Sequence, residues 1–321
     1  MSATLLLPVV TAGVTLCGAA PAAAIAHGRT VAQGQYRFSA ALTMTGIPTA
    51  GQGRRDSSCS GALIAPRWVI TAGHCFRDAG GERVSRTVAE RTTATVGRAD
   101  LTGTAGHVAT VIAVHQSDTA DVALAEIDTP ITDIEPLAIG TTPPETGDIV
   151  RLTGYGLIHR YDPEPSKRLQ TGEFTVTSID ETFVGLSGHA PRPDTSPCEH
   201  DSGGPYFRVR AGGGAELVAV VSRGPACPHT GADLSARTDN LAGWISTVVG
   251  DRGGPDIRAV AVLGGLLLGC LLAAVHLARQ ARRVRPGGPG GPRSDRGRAQ
   301  PGRRAVARWP AGDDGRLPGR R

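Results

Sequence analysis

Three short segments of this 321-residue chain hold side chains that could together perform nucleophilic chemistry. Ser202 lies in Asp201-Ser202-Gly203-Gly204-Pro205, where two glycines permit a tight backbone that leaves the hydroxyl exposed. His74 lies in Thr71-Ala72-Gly73-His74-Cys75, between an apolar run and a turn. Asp121 opens Asp121-Val122-Ala123-Leu124-Ala125-Glu126-Ile127, so its carboxylate can reach the interior and accept an imidazole N–H. Acyl transfer at neutral pH needs a nucleophile, a base, a group that orients the base, and donors for the oxyanion. Each residue alone has an ordinary structural explanation. Their joint occurrence argues against coincidence.

Several elements must position these groups. Cys59 precedes Cys75 by 16 residues, and a disulfide between them would pin the His74 loop to the preceding segment. Loop entropy values that link at about 3 kcal/mol. Short β-branched runs at 60–65, 68–71, 108–112 and 217–221, broken by Gly, Pro, Asp and Thr, predict strands. The first helical spacing falls at 239–249, through Leu241, Trp244, Ile245 and Val248. With 44 Gly and 23 Pro, the composition suits a turn-rich β protein. Of six cysteines, Cys17 and Cys270 lie in apolar segments; Cys59, Cys75, Cys198 and Cys227 form an even set, consistent with two disulfides in an oxidising compartment.

The motifs T-A-G-H-C, D-V-A-L, L-T-G-Y-G (152–156), D-S-G-G-P and V-S-R-G (221–224) occur in the order typical of chymotrypsin-like serine peptidases. Over roughly residues 25–250 the chain resembles that family, as a bacterial secreted type with a C-terminal membrane anchor. The resemblance implies an all-β fold of two six-stranded antiparallel β-barrels with a C-terminal helix. It implies a serine endopeptidase with His74 as general base, Asp121 as orienter and Ser202 as nucleophile, without cofactor or metal. It further implies an oxyanion hole from the N–H groups of His200 and Ser202, and a disulfide Cys198–Cys227 bracing the specificity pocket. Ser222 would bond near Asp121, and Ser222, Arg223 and Gly224 would pair with substrate backbone. A free Ile25 ammonium would insert beside Asp201. Ser196 falls at the pocket base. Asp233 falls at its back wall, where a carboxylate could attract a basic side chain; a surface Asp on a shifted strand is the equal alternative.

Three positions depart from the family pattern. His200 stands where Gly is usual, and a bulky residue there is expected to strain or flip an oxyanion peptide. Arg223 replaces a Trp after Ser222, and Tyr155 replaces the Trp of T-G-W-G. His200 keeps open an alternative, a catalytically weak homologue that binds peptides or surface ligands.

The ends of the chain carry different signals. Residues 1–24 read as a secretory signal, apolar over 5–16 and with small residues at 22–24. After a linker at 251–258, residues 259–278 contain no Asp, Glu, Lys or Arg. At about 1.5 Å per residue they span roughly 30 Å, so one transmembrane helix is expected. Arginines at 279, 282, 283 and 285 predict a cytoplasmic C-terminal side. Residues 279–321, with 13 Arg against three Asp, are expected to be a disordered basic tail. The net charge of +5 therefore sits in that tail, and nucleic-acid binding is not expected. The expected partners are a polypeptide substrate and the membrane. The cations comprise 33 Arg and the single Lys167, a skew that a GC-rich genome would produce. His107, His115 and His159 are scattered and suit structural or solvated roles.

Overall fold

A computed structural model describes residues 25–210 and 213–250. The signal, linker, membrane-helix and tail segments lie outside the described residues. Among the described residues no helix is long and apolar enough to cross a membrane.

The first barrel closes over six antiparallel strands in the order β2 (Ser39–Pro48), β3 (Arg54–Ala65), β4 (Trp68–Thr71), β7 (Ala123–Ile127), β6 (His107–Gln116) and β5 (Arg91–Val96). The predicted runs at 60–65, 68–71 and 108–112 all fall inside these strands. Strand β7 shows how alternation builds the fold. Ala123, Ala125 and Ile127 point into the barrel with Leu42, Val69 and Phe76. Val122 and Leu124 point outward into a second apolar cluster with Trp68, Ile70, Phe207 and Leu217. A strand buried on both faces reads as a continuous apolar run.

The second barrel closes through β9 (Ile149–Gly154), β10 (Gln170–Ile179), β11 (Phe183–Ala190), β14 (Ala232–Arg237), β13 (Ala215–Arg223) and β12 (Pro205–Val209), which returns to β9. The short strand β1 (Arg29–Thr30) adds to β10, and β8 (Ala138–Ile139) runs parallel to β13. Phe174, Leu186, Tyr206 and Val150 fill this barrel, and Ile25 joins them fully buried. The C-terminal segment is a short 3-10 turn at Asp239–Leu241 followed by helix α1 (Ala242–Gly250). Leu241 and Ile245 seal the seam between the barrels, where Phe38 and Phe207 pack edge to face at 5.1 Å.

Candidate active site

The loop between β4 and β5 carries His74, and its neighbour Cys75 is bonded to Cys59 of β3. Asp121 sits just before β7, the strand paired with β4, so one ladder sets both residues. The Asp121 carboxylate grips His74 twice. Oδ1 accepts the His74 backbone N–H at 2.8 Å, and Oδ2 lies 2.7 Å from the ring Nδ1. Ser222, in β13, donates its hydroxyl to Asp121 Oδ2 at 2.7 Å. Burial works to raise the Asp121 carboxyl, but the bonds from His74 and Ser222 outweigh it and pull the group down to about 2. The carboxylate is therefore ionised at neutral pH and fixes the ring nitrogen facing it as the N–H.

Ser202 reaches this pair by backbone ties from both barrels. The Ser202 carbonyl accepts the Ser60 N–H at 2.9 Å, one residue from Cys59. Gly203 donates to the Val221 carbonyl at 2.8 Å, one residue from Ser222. Gly203 has φ +81°, and a Cβ there would lie 2.1 Å from Thr71 Oγ1 and 2.5 Å from the Ala72 nitrogen. Only glycine allows the serine loop to close onto the strand end that leads into His74. Among the described residues no hydrogen bond joins the His74 ring to the Ser202 hydroxyl, and such bonds often tighten only when substrate is bound.

His200 holds the conformation of a glycine. Its φ is +73°, a left-handed backbone that costs a side-chain-bearing residue roughly 1–2 kcal/mol. The ring offsets that cost. Nδ1 lies 3.0 Å from the Ser58 carbonyl, so it carries the proton and donates to it, and 3.1 Å from the Ser58 hydroxyl. Ser60 Oγ donates to the His200 carbonyl at 3.1 Å and itself receives the Tyr155 N–H at 2.9 Å. Among the described residues the N–H groups of His200 and Ser202 have no acceptor, which leaves both open to an incoming oxyanion.

Asp201 is fully buried. Its oxygens accept N–H groups from Gly156 at 2.8 Å and Cys198 at 2.9 Å. Burial dominates those bonds and pushes the carboxyl up to about 7. Ala26 forms an antiparallel bridge with Ser196, so Ile25 enters the second barrel beside this loop.

Two cavities flank Arg223. One, of about 470 Å³, is lined by His74, Asp121, Ser222, Arg223, Arg83 and Phe183, and the Arg223 guanidinium lies 4.5 Å over the Phe183 ring. The other, of about 350 Å³, is lined by Ser202, Val221, Gly224, Asp233 and the Cys198–Cys227 disulfide. Asp233 thus faces the Ser202 cavity. Ser196, expected at the pocket base, is fully buried and is not among the residues lining this cavity; its hydroxyl accepts the His229 N–H at 3.3 Å. Three contributors carried no sequence motif: Arg83, 3.7 Å from Asp121 Oδ1; Ser58, the anchor of His200; and His229, 3.3 Å from Asp233. Only their neighbours in space give them meaning. Among the described residues no His/Cys/Asp/Glu group could hold a metal ion.

The family model for trypsin matches residues 25–245. Serine protease filzig of Drosophila melanogaster is 29% identical over 225 residues, covering 60% of this chain and 13% of that protein. Transmembrane protease serine 9 of Rattus norvegicus is 26% identical over 254 residues, covering 71% of this chain and 22% of its own length. Serine protease SP24D of Anopheles gambiae is 26% identical over 239 residues, covering 71% and 82%. The first two are far longer than the matched segment, and all three come from animals.

Proposed function

Because the chain belongs to the trypsin family of serine endopeptidases, we propose that it hydrolyses peptide bonds through an acyl-enzyme on Ser202. His74 removes the Ser202 proton as the hydroxyl oxygen attacks the scissile carbonyl. Asp121 holds the ring and stabilises the imidazolium that forms. The carbonyl electrons move onto oxygen and are met by the N–H groups of His200 and Ser202. His74 returns its proton to the leaving amine, and water repeats the sequence on the acyl group. The observation that carries this reading is the double grip of Asp121 on His74, at 2.8 and 2.7 Å.

The oxyanion turn needs a counter-charge beneath it. A free Ile25 ammonium beside Asp201 supplies one, since a buried carboxylate is tolerated when paired. Removal of residues 1–24 would create that terminus directly. The charge-free stretch at 259–278 and the arginines after it support anchorage to a membrane, with the catalytic domain outside.

A fluorophosphonate probe tests the mechanism. The protein beginning at Ile25 should label stoichiometrically, and the Ser202→Ala protein should not label. A folded, unreactive wild type would favour a second reading, a cleft that binds peptides without cleaving them. The side chain of His200 in the oxyanion turn is the feature behind that alternative.

A further inference from the structure

Asp233 lines the Ser202 cavity, and the catalytic steps use neither it nor the His229 that it pairs with. Asp233 lies in β14 opposite Leu186 of β11 and is 4% exposed, which removes the alternative of a surface carboxylate. Its Oδ1 lies 3.3 Å from His229 Nε2. Its Oδ2 is buried without a hydrogen-bond partner. Gly224 makes room for the carboxylate, because a Cβ there would lie 1.7 Å from Oδ1. A buried carboxylate with one idle oxygen is costly and is stabilised by a proton or a cation.

We infer that Asp233 and His229 form a proton-gated receptor for a cationic side chain on the acyl side of the scissile bond. This rests on the cavity being the substrate pocket of the hydrolysis proposed above. The two groups share one proton at low pH. Whether it sits on the ring or on the carboxyl, the pair is then neutral. Burial raises Asp233, while the bond to Asp233 raises His229, so both directions favour keeping that proton. Once it leaves, the pair carries one negative charge. A guanidinium or ammonium entering from the substrate then meets that charge where Asp233 lines the cavity. Binding a cation at intermediate pH must expel the proton, so affinity for cations rises with pH.

The surrounding charges do not reproduce this behaviour. Arg160, Glu199 and Arg223 line the cavity with Asp233. Both arginines keep their charge across the working range. The phenol of Tyr206 is held well above its usual range, first by burial and then by Asp233 and Asp201, so it stays neutral. Asp233 in turn adds a repulsion that raises Asp201, smaller than the burial of Asp201 itself. At low pH, with the pair neutral, the pocket accepts an apolar or aromatic side chain.

The test uses two peptide amides that differ only in Arg or Phe before the cleaved bond. The ratio of their kcat/KM values is followed from pH 5.5 to 8.5. Titration of His74 affects both substrates alike and drops out of the ratio. The Arg/Phe ratio should rise at least tenfold with pH. His229→Gln leaves Asp233 alone to hold the proton, so the pH at which the ratio rises should move, and Asp233→Asn should lower the ratio below one at every pH. A flat wild-type ratio, or an Arg preference that survives Asp233→Asn, overturns the inference. Binding of benzamidine to Ser202→Ala, followed by calorimetry, reads the pocket without catalysis. It should tighten at least tenfold over the same range with release of protons; pH-independent or undetectable binding overturns the inference even in a protein that labels. A protein that fails to label yet binds benzamidine in this manner overturns only the catalytic reading.

Discussion

The two halves of the site are built differently. His74 and Asp121 stand on the first barrel, at the ends of paired strands β4 and β7, with a disulfide beside them. Their geometry follows from regular ladders and an apolar core, so many interactions share the work. Ser202 and His200 stand on the irregular loop 196–204 of the second barrel. That loop contains a left-handed His200 and a fully buried Asp201, each held by two or three polar contacts. Redundant packing makes the first half robust. The second half can be switched off by losing one partner, as a buried polar network is only as good as its least satisfied member. The activation proposed through Ile25 and any tuning of the rate therefore act on the second half.

The largest effect should come from the chain start. A protein carrying Ala24 ahead of Ile25 lacks the ammonium proposed for Asp201. Its kcat should fall about 100- to 1000-fold, the cost of disordering an oxyanion donor. Stability adds a second readout. Without the ammonium, Asp201 titrates near 7 in the folded state, against about 3.8 unfolded. The unfolded chain then releases its proton first, so stability falls as pH rises from about 4 to 7 and is level above. Three units correspond to about 4 kcal/mol. The protein beginning at Ile25 should lack this decline. Denaturant midpoints across that range compare the two, and identical slopes would remove the Ile25–Asp201 pair from the account.

A smaller effect is expected at His200. His200→Ala keeps the strained φ and loses the ring contacts with Ser58. A hydrogen bond worth about 1 to 1.5 kcal/mol predicts a fall in kcat of roughly tenfold with KM little changed. His200→Gly removes the strain itself and should restore the rate. If Ala and His proteins turn over equally, the ring does not position the turn.

This division also explains what could be read in advance. The strands at 60–65, 68–71 and 217–221 were legible because ladders and apolar alternation write periodic, local patterns, whereas the Cys198–Cys227 disulfide was legible only through the family resemblance. The fate of His200 was not. A side chain in place of glycine predicts strain, and strain is present. The compensating contact comes from Ser58, 142 residues away, which no local pattern announces. The family resemblance puts Asp233 at the back wall of the pocket, but its burial and its pairing with His229 depend on the register of β11 with β14. Arg83 had no signal at all, since it lies in an irregular stretch between the barrel strands.

Arg83 gives the smallest and finest test, because it brings a vulnerability into the robust half. Its Nη1 donates to the Ala120 carbonyl at 2.7 Å and lies 3.7 Å from Asp121 Oδ1. Asp121 must stabilise the imidazolium of His74, and a permanent cation beside the same carboxylate opposes that. Removing it in Arg83→Ala should let the base hold its proton more firmly. Since only the neutral ring can accept the Ser202 proton, the acid limb of the kcat/KM profile should then move to higher pH. Partial exposure screens the effect, so a shift of about half a unit is expected, which near the limb is a loss of roughly threefold. Arg83→Lys should leave the limb in place if charge is the cause. Should Arg83→Ala lower thermal stability while the profile stays fixed, the arginine serves only to hold the Ala120 carbonyl, and the first half is as insulated as its ladders imply.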